Sequence, residues 1–196
     1  MKYLLLLTAF LAVMASSSAQ ENPDCGWYGT KTVAERNAMF PFNKAKKVVL
    51  VSYYSPFEAK DLKSDLDTIT KLKVVRGVYG SDIYNIIETK ELDQDWINQL
   101  SHILVNYTIK KKKPGEIILI SETACYDPRN SILFYDENNT IICCYEICFY
   151  CFKTNMWPDP DDVNGYADVE NCKFTRIDEL KHIFRKNGIT YGIDEK

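Results

Sequence analysis

The stretch Ser131-Ile-Leu-Phe-Tyr-Asp136-Glu-Asn-Asn-Thr140-Ile-Ile-Cys-Cys-Tyr-Glu-Ile-Cys148 decides the fold, because it reads as two strands and the turn that joins them. Residues 131–135 and 141–148 are β-branched, aromatic or otherwise apolar runs of strand length. Asp136 suits the start of a type I turn and Asn139 tolerates the left-handed conformation, so Asp136 to Thr140 predicts a hairpin with a bulge. Five of the seven cysteines lie on or beside this hairpin: Cys125, Cys143, Cys144, Cys148 and Cys151.

Register makes the cysteine arrangement testable. If Asp136 faces Thr140, Cys125 falls opposite Cys151, within the ~4.4–6.8 Å Cα separation that a disulfide requires. The loop closed would stabilise the fold by roughly 3 kcal/mol in the chain-entropy model. A strict two-residue turn at Asn138-Asn139 moves the match by one; Cys125 is expected within disulfide reach of Cys151 or, less favoured, Cys148. Cys148-Phe-Tyr-Cys151 also has the spacing of a thiol–disulfide oxidoreductase. Such a motif normally opens a helix, whose N-terminus lowers the first thiol's pKa, and Phe152 to Pro158 does not read as one. Phe152 also stands where c-type haem attachment needs histidine. A zinc site would take thiolates from Cys125, Cys148 and Cys151 with Cys144 or Cys172 as a fourth ligand, but no second Cys-x-x-Cys is present. Cys143 and Cys144 read as small apolar core residues. Glu146, among apolar neighbours, needs a partner, and Arg129 near the facing strand is the expected one.

The N-terminus bears on which fate these thiols meet. Lys2, the apolar run Leu4–Met14 and the small-residue box ending at Ala19 form a tripartite secretory signal. Residues 1–19 are therefore expected to be a leader and 20–196 a single globular domain. The apolar run falls short of the ~20 residues that span a bilayer. Export favours oxidation of close thiols. The chain carries a formal net charge of −3 with 46% hydrophobic residues. That excludes a basic nucleic-acid footprint and argues for a packed core.

Outward from the hairpin, Lys46–Tyr54 reads as a strand buried on both faces. A short helix is expected over 31–39, and strands over 74–79, 82–89 and 116–120; Lys60 to Leu72 lacks a clear period. Trp96, Ile97, Leu100, Ile103, Leu104 and Tyr107 form one apolar helical stripe over 93–107, with Asp93 as N-cap and Leu92 stapled to Ile97. Thr175-Arg-Ile-Asp178 resembles a capping box before Ile177, Leu180, Ile183 and Phe184, and Asn187-Gly188 stops that helix. Strand runs with few interleaved helices predict an α+β domain: a mostly antiparallel sheet, two main amphipathic helices and the cysteine-rich hairpin.

Other motifs yield no site. His102 and His182 read as helix-surface or partly buried residues rather than general bases. Lys110 to Lys113, before Pro114-Gly115, reads as a solvated loop. Pro158 to Asp168 lacks the carboxylates that a calcium loop needs at both ends. Asn106 and Asn138 begin glycosylation sequons. No catalytic residue, cofactor or resident metal is assigned, whether the protein is an enzyme is left open, and its partners are not specified.

The run Ala124-Cys-Tyr-Asp-Pro-Arg-Asn-Ser-Ile-Leu-Phe-Tyr-Asp136, continuing to Tyr145-Glu-Ile-Cys-Phe-Tyr-Cys151, resembles a pattern in uncharacterised exported proteins of Bacteroidetes-type bacteria. The resemblance implies a Gram-negative periplasmic or secreted setting and brings no activity. It covers the central hairpin and carries over to Cys125, Pro128, Arg129, Glu146, Cys148 and Cys151. Two readings follow: an exported, non-catalytic binding or structural domain with an oxidised hairpin, or a thiol-redox or structural-metal protein acting through Cys125, Cys148 and Cys151.

Overall fold

A computed structural model describes residues 24–55, 86–110, 125–158 and 172–194. In chain order it contains β1 (Cys25–Gly26), α1 (Val33–Asn37), β2 (Lys47–Tyr53), β3 (Ile86–Glu91), α2 (Gln94–Asn106), β4 (Thr108–Ile109), β5 (Asn130–Tyr135), β6 (Ile141–Cys148), β7 (Lys153–Trp157) and α3 (Lys173–Lys186). The chain is thus an α+β domain. Its main sheet is antiparallel throughout, in the order β3-β2-β5-β6-β7, and β1 pairs with β4 in a separate two-stranded ribbon. The expected leader, the readings at 60–72, 74–79, 82–85 and 116–120, the Lys111–Gly115 segment and the body of the acidic loop lie outside the described residues.

The hairpin turn forms around Asp136. Its backbone N–H donates to Thr140 O at 2.9 Å, and its Oδ1 accepts from the N–H groups of Asn138 and Thr140 at 2.9 and 2.8 Å. Asn139 takes φ 57°, the left-handed conformation that asparagine tolerates. The ladder then shifts at Phe134/Tyr135, so that Ser131 faces Glu146 and Phe134 faces Cys143. The register expected from an Asp136–Thr140 pairing therefore holds only at the turn; a bulge moves the rest of the ladder by one residue.

That register fixes which side chains go to which face. Val48, Leu50, Ile132, Phe134, Cys143, Tyr145, Ile147 and Met156 point toward α2 and α3. There they pack with Leu100, Ile103, Leu104, Ile177, Leu180, Ile183 and Phe184. Val49, Val51, Tyr53, Leu133 and Cys144 make a second cluster on the opposite face. Burial of both faces explains why β2 is hydrophobic almost without alternation. β7 was not expected from the sequence: Lys-Thr-Asn-Met-Trp lacks β-branched density, and it forms because β6 offers it an edge.

α2 begins where Asp93 accepts the Trp96 N–H at 2.9 Å. Trp96 and Ile97 lie partly buried against the core, and Leu100 is fully buried. α3 starts before the expected capping box. Cys172 is the N-cap residue without a side-chain cap bond, and Thr175 sits inside the first turn, its hydroxyl turned to Cys172 O. The start is set by Cys172, which is held by a disulfide to Cys25 with Cα atoms 5.7 Å apart. The far end closes as a Schellman motif: Ile189 N–H bonds Phe184 O, Gly188 N–H bonds Arg185 O, and Gly188 takes φ +81°.

Buried polar groups join the layers. Arg36 on α1 donates to Ser101 Oγ and to the carbonyls of Lys31 and Asn98. Gly29 lies so close to Asn106 that a β-carbon would stand 2.5 Å from its Cα. Arg176 on α3 donates to Tyr107 O at 2.6 Å. Glu88 on β3 accepts from Ser52 Oγ, from both N–H groups of Thr190 and Tyr191, and from the Thr190 hydroxyl, at 2.7–3.0 Å. Burial opposes the charge on Glu88, but these donors outweigh it and hold the carboxyl below its ordinary value.

Leu100→Ala should cost about 2–5 kcal/mol, the range for truncating a buried leucine in a packed interior. A urea titration giving well under 1 kcal/mol would mean that the α2 stripe contributes little to the core.

Candidate functional site

The polar content of the sheet concentrates on the face away from the helices. Ser131 and Glu146 are cross-strand partners, and Glu146 faces Asn155 on β7. Tyr53 Oη and Ser131 Oγ are 2.9 Å apart, and Tyr126 Oη donates to Glu146 Oε2 at 2.8 Å. Burial pushes the Glu146 carboxyl above its ordinary value, an effect that hydrogen bonds from Tyr126 and Asn155 partly offset. The same burial, with Glu146 alongside, raises Tyr126 and Tyr53. Each group is driven toward its neutral form, so the cluster is satisfied by hydrogen bonds rather than by ion pairs.

Arg129, expected from the sequence beside Glu146, immediately precedes β5. Arg129 forms an ion pair with Asp127 at 3.4 Å, with side chains 17% and 28% exposed. Neither Tyr126 nor Asn155 was singled out from the sequence. Tyr126 precedes the ladder and Asn155 lies on β7, the strand that periodicity does not reveal.

Cys125 lies in the extended segment before β5, and Cys151 in the turn between β6 and β7. They are joined by a disulfide with Cα atoms 5.6 Å apart. Cys148 ends β6 opposite Lys153, so Cys148-Phe-Tyr-Cys151 spans a strand-to-strand turn and not a helix start. Phe152, at φ 53°, completes that turn. The three sulfurs of Cys125, Cys148 and Cys151 lie within 4.8 Å of one another. Cys148 Sγ accepts the Cys151 N–H at 3.3 Å. Burial raises the Cys148 thiol, and backbone N–H groups of Asp127, Cys151 and Tyr150 pull in the opposite direction.

Cys143 and Cys144 are thiols fully enclosed on opposite faces of β6, and burial raises both. As a metal donor set, the group of three has two of its sulfurs in a disulfide. Of the two fourth ligands weighed from sequence, Cys172 is bonded to Cys25. Cys144 stands four residues from Cys148 along one strand, roughly 14 Å at strand rise. Among the described residues no fourth ligand joins the three sulfurs.

The remaining titratable candidates are committed elsewhere. His102 Nδ1 and the Asn106 amide are 2.9 Å apart, and the ring stacks on Trp27 at 4.6 Å between centroids. Burial, then the nearby Arg36 charge, lowers its pKa. His182 is exposed on α3. Asn106 is buried and hydrogen-bonded to Lys31, which leaves Asn138, in the exposed turn, as the sequon a glycan could reach. An open cleft of about 430 Å³ beside that turn is framed by Phe40, Lys44, Lys46, Asp136, Glu137 and Ile142, and no cysteine, serine or histidine lines it. No protein family, curated protein or solved structure matches this chain.

Glu146→Gln tests the neutral-carboxyl account. A raised folded-state pKa means the native chain binds a proton that the unfolded chain releases. Stability should then fall as pH rises from the unfolded carboxylate value through the folded one. The glutamine variant, keeping an oxygen for Tyr126, should be at least as stable as wild type at pH 7 and should lose that slope. Urea titrations between pH 4.5 and 8 measure this; a large loss of stability at pH 7 would mean that the charge itself is needed.

Proposed function

We propose that this chain is an exported, non-catalytic binding or structural domain whose cysteine hairpin is oxidised. The observation that carries the reading is the Cys125–Cys151 bridge at the mouth of the hairpin. The second bridge, Cys25–Cys172, supports it, since paired disulfides belong to oxidising compartments. The N-terminal tripartite pattern and the resemblance of the hairpin to exported Bacteroidetes-type proteins point the same way, to a periplasmic or secreted domain. Among the described residues no helix is long and apolar enough to cross a membrane.

The non-catalytic part of the reading rests on chemistry. An activated nucleophile needs a depressed pKa or an adjacent base. Here the three thiols are buried and raised, and His102 is held by Asn106. The bridges would constrain the unfolded chain instead. Their stabilisation is about 3 kcal/mol for the short loop and about 5 kcal/mol for the long one in the chain-entropy model. A thiol-redox reading keeps one specific observation in its favour, the Cys148 thiol beside the bridge.

Protein recovered from the periplasm or medium should give three titratable thiols when denatured without reductant and seven after reduction. Metal analysis should find no stoichiometric zinc. Seven thiols before reduction, five with peptide mapping that finds Cys125 and Cys151 unjoined, or one zinc per chain, would overturn the oxidised-hairpin reading. N-terminal sequencing of the same material should begin at Gln20, and retention of Met1 would refute cleavage of the leader.

A further inference from the structure

We propose that Cys125, Cys148 and Cys151 form a thiol–disulfide exchange site, in which Cys148 displaces Cys125 from Cys151 and frees the Cys125 thiol to attack an incoming disulfide. This rests on the oxidised hairpin proposed above and adds an activity to it. A thiol and a disulfide are the two reactants of exchange, and here all three sulfurs lie within 4.8 Å of one another. The site is enclosed at Cys148 and Cys151, which are 1% and 4% exposed, whereas Cys125 is partly exposed. Exchange therefore moves a thiol from an inaccessible position to one that reaches solvent.

The direction follows from local geometry. Cys148 and Cys151 have the Cys-x-x-Cys spacing, and the turn already bonds Cys151 N–H to Cys148 Sγ at 3.3 Å. Backbone N–H groups of Asp127 and Tyr150 also reach that sulfur. Donors fixed around a sulfur stabilise the negative charge that develops when its proton leaves, as in other preorganised anion sites. The bridge present at rest is Cys125–Cys151, and burial, which opposes the Cys148 thiolate, makes the exchange slow.

The step balances within the chain. Cys148 loses its proton and its sulfur bonds Cys151 Sγ as the Cys125–Cys151 bond breaks. Cys125 leaves as a thiolate and takes up a proton. One S–S bond forms as another breaks, with no oxidant or reductant consumed. The Cys125 thiolate then attacks an external disulfide, giving a mixed disulfide on Cys125 and one released thiol. The event is a single turnover per chain until another thiol resolves the adduct.

The test uses Ellman's reagent as the disulfide, on the full mature chain without denaturant. Wild type should release one equivalent of thionitrobenzoate slowly. Peptide mapping after acid quench should place the adduct on Cys125 and a new bridge between Cys148 and Cys151. Cys148→Ser, with a melting transition close to wild type, should release none and retain Cys125–Cys151. Native wild type that releases nothing over hours, or an adduct on Cys143, Cys144 or Cys148, would overturn the proposal. Should Cys148→Ser not fold, Cys125→Ser decides: refolded with oxidised glutathione, it should carry a Cys148–Cys151 bridge, and two unjoined thiols there would refute the exchange geometry. The thiol count on untreated protein separates this outcome from the oxidised-hairpin reading, because a resting bridge that does not exchange leaves that reading intact.

Discussion

The register of β5 against β6, offset by one residue from the turn that Asp136 holds, is the constraint on which the rest of the domain depends. A slip of one residue along β5 and β6 would turn every side chain of the hairpin to the other face. Tyr145 and Ile147 would leave α2 and α3, and Glu146 would enter the helix-facing core without Tyr126 or Asn155. The bulge at Phe134/Tyr135 reconciles the turn that Asp136 prefers with the ladder that the core requires. Turn chemistry and core patterning thus pull the same strands in registers one residue apart, and the extra residue absorbs the difference.

Given that register, the two sheet faces divide the chemistry. The helix-facing side is apolar and closes over Leu50, Leu100, Ile147 and Phe184. The opposite side carries Tyr53, Ser131, Cys144 and Glu146, where each polar atom is expensive to bury unless it is bonded. Neutral forms are the economical solution there, because an ion pair at that depth would need to recover two desolvation penalties. The same enclosure keeps Cys148 a thiol and leaves Cys125, at the edge, as the sulfur nearest to solvent.

Much of this organisation was legible in the sequence where one local signal dominated. Asp93 and the stripe through Leu100 and Leu104 announce α2, Asn187-Gly188 announces the end of α3, and the unbroken apolar run of β2 announces a doubly covered strand. Cys125 and Cys151 stand near each other in any hairpin that turns at Asp136 to Thr140, though the ladder register that brings them together differs by one from the simplest pairing. What stayed hidden depends on contacts far apart in the chain. β7 has no periodic signature and exists as a strand because β6 has a free edge. Cys25 and Cys172 are separated by 147 residues, and no spacing rule joins them. The Glu88 clamp on Thr190 and Tyr191 spans 102 and 103 residues. Glu146 shows only its charge in the sequence; its bonds to Tyr126 and Asn155 depend on a segment before the ladder and on β7.

The Cys25–Cys172 bond also has a mechanical meaning. It closes a covalent ring that includes β1 to β7, α1 and α2 among the described residues, with α3 and the residues after it outside as a tail. Tension applied at the two ends of the chain would reach Cys25 on one side and Cys172 on the other and pass between them through sulfur. The ladders of the sheet would bear none of it. The tail could be peeled away, against the packing of α3 and the grip of Glu88, while the residues inside the ring stayed joined under load.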